Sequence, residues 1–391
     1  MDTALSVTVE HSLADIAAGD WDALNPSGFP FVSHAFLYAL ERTGCLGEDH
    51  GWYPHYLCVR GADGALLAAA ASYVKTNSYG EFVFDHAWAD AWERAGGHYY
   101  PKLVLACPYT PATGPRLLVH PEAAQPAALR SALAESLDSL SQKMTLSGSH
   151  ALFTNEADAQ AFEAAGFVSR IDVQYHWRNA GYADFADYLA ALNARKRKNV
   201  RRERQQVAAQ GIELAWRDGG SLSADEWRQV HALYAGIYER KWGVPSLSYA
   251  FFEALGSSMP DNSHVVFAYD RASTPDPVAC AILFSGGGAL YGRYWGCHAH
   301  YRSLHFETCY YQGIDYCIRE GLQLFEPGAQ GEHKIARGFL PTYTRSWHKL
   351  NNDSFQSAVT DFLKRETPAV EHHHAALTRS SPFRQGVENG A

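Results

Sequence analysis

Cysteine is scarce and unpatterned: there are seven in 391 residues, an odd number with no C-x-x-C pair. Such spacing excludes a zinc ribbon and offers no disulfide framework, so a reducing compartment is the expectation. The chain has no G-x-S-x-G turn, no P-loop and no H-E-x-x-H. Cys309 and Cys317 fall on the apolar face of an expected helix, which disfavours a covalent acyl-enzyme. His298, His300 and His305 lack a fourth ligand at any familiar spacing, so no metal is expected. The opening residues, MDTALSVTVEHSLADI, lack both a basic and an apolar segment of the kind that directs secretion. The longest apolar run, Ala65 to Val74, is about half a bilayer span. A cytoplasmic protein, at most peripheral at the inner membrane, is expected. Positive charge is also short: the net charge of −9 argues against general nucleic-acid binding.

Apolar and aromatic residues are abundant, at 47% and 13%, and the length suits two domains of roughly 100–200 residues. Periodicity and turn chemistry predict strands at Ser6–Glu10, His55–Arg60, Leu66–Tyr73, Glu81–Phe84 and Ile171–Trp177. Helices are predicted at Ser33–Arg42, Pro121–Met144 and Glu156–Ala165, and a long loop at Gly96–Pro115. The second half echoes this order. Helices are predicted at Phe185–Gln210 and Asp225–Trp242, followed by strands at His264–Tyr269, Val278–Phe284 and Ala289–Gly296. The strings HYLCVRGADGALLAAAASYVKTNSYGEFVF and HVVFAYDRASTPDPVACAILFSGGGALYGRYW share strand, polar turn, small-residue strand, turn and aromatic strand. This predicts a duplicated α/β unit. Residues 1–179 and 180–366 are the expected domains, with 367–391 a polar, frayed tail.

Three segments carry candidate chemistry. The first is a βαβ unit: strand Leu290–Trp295, helix Leu304–Glu320 and strand Leu322–Phe325. Parallel strands joined in this way bind ligands beyond their carboxyl ends. Those ends carry Arg293, Tyr294 and Trp295 on one strand and Glu326, Gln330, Glu332, His333 and Lys334 after the other. Amide formation needs a group that takes a proton from an attacking amine and donors that hold an acyl oxygen. Glu332 or His333 is the first candidate for the base, with Glu326 a further catalytic candidate. His305, Glu307, Tyr311 and Arg337 complete the expected substrate-binding set. The second segment is the basic run Arg195–Arg204. On a helix, Lys196 and Glu203 face inward, while Lys198 and Arg202 lie on a flank suited to phosphates of coenzyme A, a nucleotide sugar or tRNA, or to a membrane surface. Lys196, Lys198 and Arg202 are expected to bind the donor or substrate. The third collects Lys75, Tyr79, Glu81, Tyr100 and Lys102 in a turn and a long loop, expected to form part of a cleft between the domains.

The runs GRYWGC, LHFETCYYQGIDYCIREGLQLFEPGAQGEHKIARGF, PYTPATGPRLL, RKRKNVRRER and KWGVP resemble those of the FemAB-like group of the GNAT superfamily. That resemblance spans about Phe31 to Trp347. It implies two tandem GNAT-like domains, each a mixed, mostly antiparallel sheet flanked by helices, and transfer of an acyl or aminoacyl group to an amine by direct attack. It implies no tightly bound cofactor. Acyl-coenzyme A or aminoacyl-tRNA is the implied co-substrate, and a cell-envelope precursor or lipid amine the implied acceptor. A ceramide-type product and a non-catalytic binder of cell-wall precursor or lipid stay open as alternatives. In one respect the chain departs from acyl-coenzyme A users of the superfamily. Their R/Q-x-x-G-x-G/A loop is replaced by Cys297-His-Ala-His-Tyr-Arg-Ser303, which has no glycine.

Overall fold

The computed structural model describes residues 6–240, 243–329 and 331–384. The chain divides into two compact units, residues 1–172 with 343–372 and residues 173–342 with 373–391. Thirteen strands are formed among the described residues: β1 Ser6–Glu10, β2 Trp52–Arg60, β3 Leu66–Lys75, β4 Lys102–Leu105, β5 Leu118–Val119, β6 Gly148–Leu152, β7 Val168–Arg178, β8 Ile212–Asp218, β9 Ser263–Asp270, β10 Pro277–Gly286, β11 Ala289–Cys297, β12 Leu324–Glu326 and β13 Leu340–Leu350.

In the first unit the strand order is β1-β2-β3-β4-β6-β13, with β5 beside β3. Every pair is antiparallel except β4/β6. A parallel pair needs a crossover, and the helix Pro126–Lys143 supplies it. Its Leu129, Leu133 and Leu137 pack with Leu57, Leu105 and Trp347 of the sheet. The second unit repeats the pattern as β8-β9-β10-β11-β12-β7. Its one parallel pair is β11/β12, crossed by helical residues Leu304–Arg319. The duplication expected from the two echoing strings is present in the strand order of the two units, but the first string's third strand is not formed. β4, beyond that string, takes the place that β11 holds in the second unit. Each unit is a mixed, mostly antiparallel sheet flanked by helices.

Several expectations change. The closing strand of the first unit is β13, which pairs with β6 from Ser346↔Leu152 to Leu350↔Gly148. Residues 343–372 consequently group with the first unit, not with the second as the 179/180 split assumed. Much of the expected tail is ordered, since one helix runs Asp353–Thr378. Within that tail Leu377 is buried in the second unit's core, which a frayed segment would not be. Residues 81–84 form no strand: Glu81 turns inward to the Lys102 ammonium at 2.7 Å, and Phe82 takes φ +60°. The loop expected at 96–115 contains β4. The helix expected at 185–210 is broken into Phe185–Ala191 and Ala194–Ala209. Leu192 leaves helical geometry there, and Asn193 caps the new start by accepting from the Lys196 N–H. Trp242, the expected end of a helix, lies outside the described residues; that helix is observed at Ala224–Glu239. Among the described residues no helix is long and apolar enough to cross a membrane.

Candidate active-site cleft

The second unit's sheet is opened by its own strand register. Between β10 and β11, Ile282 faces Tyr294 and Leu283 faces Gly292. Arg293 is left as the extra residue of a β-bulge, which bends its strand and re-aims its side chain. Pairing of β11 with β12 stops at Tyr291↔Glu326. The next residue, Pro327, has no N–H with which to continue a ladder, whereas β11 runs on to Cys297. The two parallel strands therefore part beyond Tyr291. A pocket of about 120 Å³ fills the gap, lined among others by Arg293, Tyr294, Trp295, His305, Tyr310 and Pro327. Trp295 and His305 also line a second pocket of about 450 Å³, with Arg240, His298, His300 and Tyr301. Gly292 lets the strands approach closely at the fork, where a Cβ would lie 3.3 Å from the Pro327 Cα.

The crossover helix forms the other wall. Residues Glu307–Tyr311 adopt a π-helical turn between Leu304–Phe306 and Gln312–Arg319, a local irregularity often found where a helix serves a site. The Tyr310 hydroxyl lies 3.0 Å from His333 Nε2. His333 sits on the 3-10 turn Glu332–Arg337, so Tyr310 connects the small pocket to a partly exposed imidazole. Burial pushes His305 down to about 4, reinforced by His333, Lys334 and Arg337. His333 is also lowered, by burial first and then by Arg337 and Lys334. Both rings are neutral at pH 7 and available as acceptors.

The expected site residues separate into three groups. Arg293, Tyr294, Trp295 and His305 line the cleft. Glu326 is buried behind it, 3.5 Å from Arg293 Nη2 and 3.8 Å from His176 Nε2. Burial holds His176 near 3, with Arg178 and Arg293 adding to the effect. Lys334 is also buried and donates to the Gly328 carbonyl at 2.6 Å. Desolvation, then Arg293, lowers it to about 7.

A second group holds the wall together. Arg204 pairs with Glu307 at 3.1 Å and lies over the Phe185 ring. Arg337 pairs with Glu203 at 2.7 Å and stacks on Phe306. The Tyr311 hydroxyl donates to the same Glu203 carboxylate. Glu203 thus faces inward as its helical position requires, but Glu307, Tyr311 and Arg337 are spent on internal contacts. Lys196 is half-buried, while Lys198 and Arg202 are exposed.

The third group lines neither pocket. Glu332 is 65% exposed, 3.8 Å from His373, and lines neither pocket. Gln330 is outside the described residues. Lys75, Glu81 and Lys102 are buried in the first unit, Tyr100 is half-buried and Tyr79 exposed. There the Lys102 ammonium donates to Glu81, Asp85 and Ser78. Burial would lower Lys102, yet the two carboxylates raise it to about 12. Burial raises Glu81 to about 7 and lowers Lys75 to about 7. Among the described residues no group of three or more His, Cys, Asp or Glu side chains is arranged to hold a metal ion. Tyr310 was missed in the sequence because one tyrosine on an apolar helix face looks like core.

Residues 12–385 match the FemAB-like family, described as peptidoglycan biosynthesis/recognition, and the chain belongs to it. Among solved structures, it is similar to FemX, at 11% identity and a TM-score of 0.54, covering 88% of this chain and 98% of that one. It is also similar to the C-terminal domain of a putative lysylphosphatidylglycerol synthetase from Agrobacterium fabrum, at 8% identity, a TM-score of 0.54 and 88% and 96% coverage. At these identities the likeness is one of fold. No curated protein matches the sequence.

Proposed function

We propose that the chain is an N-acyltransferase acting on a cell-envelope amine, with direct transfer in the fork between β11 and β12. The observation that carries this reading is the fork itself: two parallel strands part at a bulged residue and open a pocket with Tyr310 on its wall and a neutral imidazole behind it. In the step this arrangement serves, an amine attacks the acyl carbonyl of a bound ester or thioester. Tyr310 takes the ammonium proton while passing its own to His333 Nε2, and the imidazolium returns a proton through Tyr310 to the leaving oxygen or sulfur as the C–O or C–S bond breaks. Arg293 holds developing negative charge on the acyl oxygen. His333 is thus favoured over Glu332 as the base, and Glu326 is a positioning residue for Arg293. Lys334 and the larger pocket serve the anionic part of a substrate.

The family's description supports an acceptor from peptidoglycan assembly. The donor is acyl-coenzyme A or aminoacyl-tRNA, with no tightly held cofactor. Two features favour the tRNA: the glycine-free turn Cys297–Ser303, which borders the larger pocket, and the exposed cations Lys198, Arg201 and Arg202 on one helix. Native mass spectrometry of protein purified from its host tests the reading. A co-purified acyl-coenzyme A or aminoacyl-tRNA, with transfer to an amine, is the expected result, and ribonuclease sensitivity of transfer distinguishes the donors. Bound precursor or lipid without any transfer would instead establish a non-catalytic binding protein.

A further inference from the structure

At the other end of β11, away from the fork, the ends of three strands assemble a polar relay. In the antiparallel ladder Asp218 of β8 lies opposite His264 of β9, and His264 opposite Leu283 of β10. Side chains alternate along a strand, so Ser285, two residues beyond Leu283, points to the same face. The contacts follow that register. His264 Nδ1 is 2.8 Å from Asp218 Oδ1, and His264 Nε2 is 2.8 Å from Ser285 Oγ. The carboxylate accepts the Nδ1–H and so selects the tautomer whose Nε2 lone pair accepts the serine proton. These are the roles that define a nucleophilic serine, whatever fold carries them.

The surroundings match the roles. His264 has a buried side chain, 2% exposed, while Asp218 is 60% exposed and Ser285 is half-buried. Trp216, on the same face as Asp218, stacks on Tyr316 at 4.2 Å, and His264 lies 5.1 Å from that tyrosine ring. Directly after Ser285 come Gly286, Gly287 and Gly288, the last two at positive φ. The space where a Cβ of Gly288 would lie is open. A carbonyl can therefore approach the serine beside backbone bare of side chains.

We propose that Ser285, His264 and Asp218 form a second, nucleophilic site that cleaves small activated esters, independently of the fork. The Ser285 oxygen bonds to the ester carbonyl carbon, His264 takes the hydroxyl proton, and the C–O bond to the leaving alcohol breaks as that alcohol receives the proton. Water then adds to the seryl ester through the same imidazole, releasing the carboxylic acid and restoring the serine.

The test treats the full chain with a fluorophosphonate probe, maps the adduct by peptide mass spectrometry, and measures hydrolysis of p-nitrophenyl acetate. The expected result is an adduct on Ser285 that is absent from Ser285→Ala. His264→Gln should slow labelling by about 100-fold and Asp218→Asn by about tenfold, with circular dichroism unchanged. Burial lowers His264 against the opposing pull of Asp218, with Glu320 and Asp261 as the further acidic neighbours. Labelling should therefore decline only as pH falls below about 6.5, the ordinary imidazole value. A relay that merely ties the strand ends predicts different outcomes. No adduct on Ser285 in the folded chain, or one forming equally fast in folded His264→Gln, overturns the proposal.

Discussion

In the proposed transfer Tyr310 and His333 act together, because one hydroxyl joins a pocket to an imidazole that solvent can reach. Replacing Tyr310 by Phe, or His333 by Ala, should lower the transfer rate by about 100-fold with folding intact. Glu332→Gln should leave it within about twofold, since that carboxylate is surface-exposed and faces His373. Steady-state kinetics of the three variants checks the assignment, and a full loss in Glu332→Gln alone would reverse it. Lys102 poses a question of stability. Lys102→Met strands Glu81 and Asp85 as buried carboxylates and should cost about 3–5 kcal/mol, measured by urea unfolding. Glu81→Gln should cost less, because burial already raises that acid to about 7. The histidines set an acid limit. His150 and His176 are held near 3 and His305 near 4, in each case by burial first. The unfolded chain binds protons at about 6.5, so below that pH it gains protons the native state refuses. Stability is full above about 6.5 and should decline as pH falls toward 4, lowering the melting temperature.

Elements approach one another closely where glycine permits it. A Cβ on Gly296 of β11 would lie 2.3 Å from the Leu233 carbonyl carbon in the helix Ala224–Glu239. Backbone cannot swing aside as a side chain can, so Gly296→Ala should displace that helix and cost about 1–3 kcal/mol. Thermal unfolding measures the cost. A shift below about 0.5 kcal/mol would show that the helix yields freely. The same strand shows why the fork was only half legible in the sequence. Period and turn chemistry located the strand, helix and strand of the βαβ unit. The bulge at Arg293 depends on what lies opposite in β10, and the early end of pairing with β12 depends on Pro327, which has no N–H to offer β11. Neither partner is visible along β11 itself. The break at Leu192–Asn193 is different: Asn193 is a strong cap that periodicity overran.

At the scale of the molecule, the chain completes its first sheet only after building the second unit. Trp347 of β13 belongs to the first unit's core with Leu57, Leu105 and Phe162. A chain ending at residue 342 should therefore lose cooperative unfolding in that unit, seen as loss of its urea transition. A transition unchanged in midpoint would show that β13 is dispensable.

The sequence by itself determined the duplicated mixed α/β plan, the family, and the stretch of chain that borders the cleft. These rest on local period, turn chemistry and long motifs, which need no partner to be read. Tertiary structure alone decided which charged residues line a pocket and which face each other. Glu307, Tyr311 and Arg337 look like binding groups along the chain. In the fold Arg204 pairs with Glu307 and Glu203 pairs with Arg337, because a buried charge needs a counter-charge wherever in the sequence one can be found. The Tyr311 hydroxyl donates to the same Glu203. Unit membership was decided in the same way. A strand joins the sheet whose open edge it pairs with, and β13 found that edge nearly two hundred residues upstream at β6, which no local pattern records.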